Sequence, residues 1–170
     1  MEIAETSRPA GARPTVEPRN PDWRRMVERG FAEAPFVHEN GIRLDACVPG
    51  RVESSVELTP HHLQNTGVPH AGLMATLADH SSGAAAISLT APGEIILTAE
   101  FKISLLRAVV AKKLHCRAEV VRPGSQLCFV EASVEAETAD GERKLVARAS
   151  VTLAVLGADH HAARSAAGRR

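Results

Sequence analysis

The chain has 170 residues, 44% of them hydrophobic and 24% charged, which is enough for one core and too little for several large ones. Lys plus Arg equals Asp plus Glu at 20 each, leaving no global positive field to hold the chain on nucleic acid or an anionic membrane. Aromatic residues make up only 3%, with no Tyr, so base-stacking platforms are excluded and the core must be aliphatic.

Residues 1–19 carry Pro, Ala, Arg and Glu without apolar periodicity, and 157–170 has the same character. Both read as disordered tails around a single domain at 20–156. The N-terminus lacks the order of a signal peptide, and no apolar run approaches the ~20 residues that span a bilayer, so a soluble cytoplasmic protein is expected. Asn20-Pro21 predicts a helix start, with Trp23, Met26, Val27 and Phe31 on one apolar face. A strand is expected around Phe36–Val48, then a turn at Pro49-Gly50 and a second short strand over Arg51–Leu58.

From Ala71 to about Leu89 no continuous polar face remains around a helix, so this helix is buried on most sides. Strict alternation follows. Ile95, Leu97, Ala99, Phe101, Ile103 and Leu105 are expected on one face of a strand, with Thr98, Glu100, Lys102 and Ser104 on the other. Three more alternating runs are centred on Leu114–Val120, Cys128–Val134 and Leu145–Val155, joined by turn signals at Arg122-Pro123-Gly124-Ser125 and Ala139-Asp140-Gly141-Glu142. The fold class is therefore α+β: a long central helix wrapped by a five- to six-stranded antiparallel sheet. Cys47, Cys116 and Cys128 are an odd set without C-x-x-C spacing, and they read as buried thiols rather than a disulfide or zinc framework.

The chemistry concentrates around the start of the buried helix, which reads His61-His62-Leu63-Gln64-Asn65-Thr66-Gly67-Val68-Pro69-His70-Ala71-Gly72. A helix N-terminus offers unpaired N–H groups, so the amides of Ala71 and Gly72 can hold a carbonyl or a developing oxyanion. Further along, Asp79 places a carboxylate on an apolar helix, which is costly unless the group is paired or faces a cleft. It either serves chemistry there, caps a neighbouring loop, or pairs with a basic group across an interface. His70 either takes part directly or bonds loop carbonyls, and His80 points elsewhere. His70 and Asp79 are nine residues apart, ~13 Å of rise and ~900° of rotation, which puts them on opposite sides of one helix. If both serve one reaction, the site combines two subunits of a homodimer. His61, His62 and His70 lack the one-turn spacing of a metal site, the serines lack a G-x-S-x-G context, and no glycine-rich phosphate loop is present. Arg107, Lys112, Lys113 and Arg122 lie near predicted strand ends, where they are solvated or hold phosphates.

These motifs resemble the hotdog-fold thioesterases of the phenylacetic-acid-degradation (PaaI-like) family. The likeness spans roughly residues 50–156 and rests on Asn65 and Gly67 before His70-Ala71-Gly72, on Leu77-Ala78-Asp79, on the run from Leu97 to Arg107, and on Val120-Val121-Arg122-Pro123-Gly124. The resemblance implies hydrolysis of an acyl-coenzyme A (acyl-CoA) thioester without metal or organic cofactor, in a homodimer or dimer of dimers with its active sites at the subunit interface. It assigns Asp79 as general base or nucleophile and the Ala71 amide as carbonyl polariser. Asn65 would hold the carbonyl or water, His70 would support the loop, and Thr98 would stand beside the carboxylate. Arg107, Arg122 and Gly124 would meet the CoA moiety. The chain departs from the family in having Ala71 within the usual H-G-G, a shorter Asn65-to-His70 spacing, and Ala108 and Ser125 where proline and a basic residue are common. The rival reading is a non-catalytic acyl-CoA-binding or regulatory module.

Overall fold

The computed structural model describes residues 16–157, so most of both expected tails lies outside the described residues. Contacts with the fold nevertheless begin before residue 20. Val16 packs against the core, and Arg19 donates from Nε to the Leu89 carbonyl at 3.1 Å and pairs with Glu94 at 2.7 Å.

Helix α1 spans Trp23–Glu33 and buries Val27 and Phe31, two of the four residues of the expected apolar face. Its start lies two residues past the expected position, because the Asn20 carboxamide accepts the Asp22 N–H at 3.0 Å and closes a turn instead of capping a helix. The strand expected around Phe36 begins later. Pro35 sits at the first position of a short helix, α2, Pro35–Glu39, where its fixed φ favours a helical start. Gly41, at φ +64°, ends that helix.

Strands β1 (Ile42–Val48) and β2 (Arg51–Glu57) then form a hairpin, and a single 3-10 turn at Pro60–His62 leads to helix α3, Ala71–Ile87. Strands β3 (Ile95–Leu105), β4 (Lys113–Arg122), β5 (Leu127–Glu137) and β6 (Arg143–Leu156) complete one antiparallel sheet in the order β1-β2-β4-β5-β6-β3. The sheet contacts α3 along every strand, so the helix is wrapped as expected. Among the described residues no helix is long and apolar enough to cross a membrane.

Leu77, Ala78, Ser81, Ser82 and Ala85 of α3 are fully buried. The two serines can be there because each hydroxyl returns to the carbonyl four residues back, Ser81 to Leu77 at 2.6 Å and Ser82 to Ala78 at 2.7 Å. One stripe of α3 stays incompletely covered, running along Gly72, Thr76, Asp79, Gly83 and Ile87. All three cysteines are free and buried, and burial pushes the Cys116 thiol up to about 12 and that of Cys128 to about 11.

The alternation expected in β4 and β5 holds, but that of β3 changes phase midway. Thr98 pairs with Leu153 and Glu100 with Thr152, so Ala99 is an extra, bulged residue. Beyond the bulge Phe101 and Ile103 share a face with Val151 and Ala149; before it, Ile96 and Thr98 take that inner face, and Leu97 faces outward. A strict two-residue period puts Thr98 on the solvent side, and the bulge puts it on the helix side.

Candidate active site

Asp79 lies mid-helix on the open stripe of α3, at a cleft of about 300 Å³ walled by Met26 and Gly30 of α1, Gly83 and Ile87 of α3, and Ile96 and Leu153 of the sheet. Its partner comes from β3: the Thr98 hydroxyl donates to Asp79 Oδ1 at 2.8 Å. That bond depends on the Ala99 bulge, which turns Thr98 inward. Oδ1 is thereby engaged, and Oδ2 is the oxygen left to meet a water molecule. His80, the next residue, turns the other way and sets its ring edge-to-face on Phe31, with centroids 4.5 Å apart. Burial lowers its pKa below the ordinary histidine value, so it packs as a neutral ring.

At the start of α3 His70 is the N-cap, and its Nδ1 accepts the Gly72 N–H at 2.9 Å. This assigns His70 a supporting role at the helix start and uses the Gly72 amide internally. The absence of a side chain at Gly72 relieves that bond, since a Cβ there would stand 3.0 Å from Nδ1 and crowd the ring. Ala71, at the first helical position, lines a separate cleft of about 290 Å³ together with Gln64, Met74, Leu106 and Arg107. Ala71 and Asp79 are eight residues apart, ~12 Å of rise on an α-helix. Rise separates them more than rotation does, because Gly72 and Asp79 share one stripe. Each cleft of a single chain therefore holds half of the expected machinery.

A family model for the thioesterase superfamily matches residues 66–142. A thioesterase family protein from Silicibacter pomeroyi is 35% identical over 79% of this chain and 98% of its own, with a TM-score of 0.77. The chain belongs to the thioesterase superfamily. A conserved protein from Pseudomonas aeruginosa is 29% identical over 72% of this chain and 94% of its own, at TM-score 0.65. A thioesterase from Haemophilus influenzae shares the fold at 20% identity and TM-score 0.68, over 78% of this chain and 89% of its own. No curated protein matches the chain significantly. The wrapped helix and six-stranded sheet are the hotdog architecture, and superfamily membership supports thioester hydrolysis as the reaction class.

Within this thioesterase the remaining expected residues are dispersed. Asn65 is exposed on a turn closed by the Gly67 N–H on the Gln64 carbonyl at 2.9 Å, and Gln64 rather than Asn65 contributes to the Ala71 cleft. Sequence reading passed over Gln64, although its six-residue spacing to His70 supplies the residue by which Asn65 falls short. Arg107 and Arg122 do not form one basic cluster. Arg107 follows the end of β3 beside Ala71, whereas Arg122 closes β4 at the far end of that strand, ~30 Å from Lys113 at its start. Lys112 and Lys113 are engaged by Glu137 and Glu57, each at 3.0 Å. Gly124 lines a third cleft with Arg19 and Cys128. Its close turn leaves no room for a side chain, because a Cβ would run into the Leu127 carbonyl.

Proposed function

We propose that this protein is an acyl-CoA thioesterase of the PaaI-like branch, with each active site assembled from two copies of the chain. The observation that carries the reading is the pair of half-sites: a carboxylate oriented by Thr98 in one cleft, and an N-terminal helix amide beside Arg107 in the other. A second copy, docked along the β3 edge, would bring the Ala71 cleft of one chain to the Asp79 cleft of the other. That strand ends the sheet with Leu97 41% and Leu105 51% exposed, an edge that favours pairing.

Asp79 takes a proton from water as its oxygen attacks the thioester carbonyl carbon. The Ala71 N–H and the Gln64 carboxamide stabilise the oxyanion, and collapse of the tetrahedral species breaks the C–S bond. The leaving thiolate takes up the proton that Asp79 accepted, which regenerates the carboxylate and gives the carboxylic acid and free CoA. Arg107, at the mouth of the Ala71 cleft, meets CoA phosphate, with Arg122 and Gly124 as the weaker candidates. The scheme draws on no metal or organic cofactor. Free-thiol release from short, medium and aryl acyl-CoAs tests it. Asp79→Asn is expected to lose ~10²–10⁴ in kcat. Retention of most activity overturns the assignment, and saturable binding without turnover in the wild type selects the non-catalytic module instead.

A further inference from the structure

The cleft beside Asp79 owes its size to two residues without side chains. Gly30 on α1 and Gly83 on α3 both line it, and a Cβ on either would meet no heavy atom within 4 Å. Several other glycines among the described residues have evident backbone reasons: Gly50 sits at φ +77°, Gly72 makes room for the His70 cap, and Gly124 for the Leu127 carbonyl. Gly30 and Gly83 have none. Both are inside helices, neither has a positive φ, and glycine weakens a helix relative to alanine. Gly83 follows Asp79 by four residues and so stands on the same face, one turn along. The surrounding wall is apolar, with Met26, Ile87, Ile96 and Leu153, and at about 300 Å³ the space lies at the lower end of the ~300–1,000 Å³ typical of small-molecule sites.

We propose that Gly30 and Gly83 set the size limit for the acyl group, their missing side chains leaving room beside Asp79 for an apolar acyl larger than acetyl. The inference rests on the thioesterase reading of the Asp79 cleft and assigns the acyl side of the substrate to it. A side chain at either position would project into the space the acyl tail needs, while the helix itself would gain from losing a glycine.

The experiment compares kcat/KM for acetyl-, octanoyl- and phenylacetyl-CoA in the wild type, Gly30→Leu, Gly83→Leu, the milder Gly30→Ala and Gly83→Ala, and Ala32→Leu on the exposed side of α1. Thermal melts followed by circular dichroism report folding. The Leu variants are expected to lose ~10–100-fold in the ratio of octanoyl or phenylacetyl to acetyl turnover, a span usual for steric change in an apolar pocket. The Ala variants shift the ratio in the same direction by less, and Ala32→Leu leaves it at the wild-type value. Folded glycine variants with an unchanged ratio overturn the size limit while leaving the hydrolase intact. A wild type that cleaves none of the three thioesters overturns the hydrolase reading and the size limit with it. A ratio shift that persists while Asp79→Asn stays active upholds the acyl cleft and removes only the role of Asp79.

Discussion

On the proposed reading, the two clefts along α3 supply their chemistry by different means. At the helix start the proposed group is a backbone N–H, which any residue except proline provides, so alanine can replace the usual glycine at position 71 without losing the donor. In the middle of the helix the proposed group is a side chain, which depends on Asp79 itself, on Thr98, and on a bulge in another element. The first half-site is robust to composition and sensitive to backbone covalent structure. The second is the reverse.

The sharpest way to exploit that contrast is to break each half separately and then mix them. Ala71→Pro removes the N–H at a position where proline suits a helix, and His70 already has the extended backbone (φ −67°, ψ 138°) that a following proline requires. Its kcat is expected to fall ~10²–10³ with the fold kept. Co-refolding Ala71→Pro with Asp79→Asn should then recover about a quarter of wild-type turnover, because random pairing makes half the dimers mixed and each mixed dimer has one intact site. No recovery on mixing, with dimers present, would place both groups in one chain's site.

A smaller effect probes the side-chain half alone. Thr98→Val keeps the shape and deletes the hydroxyl on Asp79, and a fall of roughly tenfold in kcat is expected from the loss of one charge-assisted bond. An unchanged kcat would mean that Asp79 is oriented without it. The smallest effect is on stability. Burial lowers the pKa of His62 and His80 below the ordinary value of 6.5, so the unfolded chain takes up protons first as the pH drops. Stability should therefore be flat with respect to these groups above about pH 6.5, decline below it, and level off beneath the folded-state values. Urea midpoints between pH 7.5 and 5 test this, and His80→Phe should flatten part of the decline.

Much of the fold was legible because α3, β4 and β5 each bury one regular set of positions. Leu114, Cys116 and Ala118 on β4, and Cys128, Val130 and Ala132 on β5, all face inward as their alternation predicts. Legibility failed wherever a local device interrupted the period. Pro35 made a helical turn where apolar residues pointed to a strand, and Ala99 reversed the faces of the first part of β3. Of the site, Asp79 stood out by its cost in an apolar helix and His70 by its place before one. Gln64 did not stand out, because nothing local separates its carboxamide from that of the equally exposed Asn65 until the fold sets Gln64, and not Asn65, against the Ala71 cleft.

The bulge at Ala99 also bears on how such a chain can change over time. Removing that one residue would leave Asp79 and Thr98 both encoded, yet restore an unbroken two-residue period and swing the Thr98 hydroxyl to the far face of the sheet. If Asp79 and Thr98 serve the proposed reaction, the length of β3 before Glu100 is inherited as part of the reaction centre, and drift there is confined to substitutions, since a single-codon insertion or deletion would be read as the loss of a site residue that is still written in the gene.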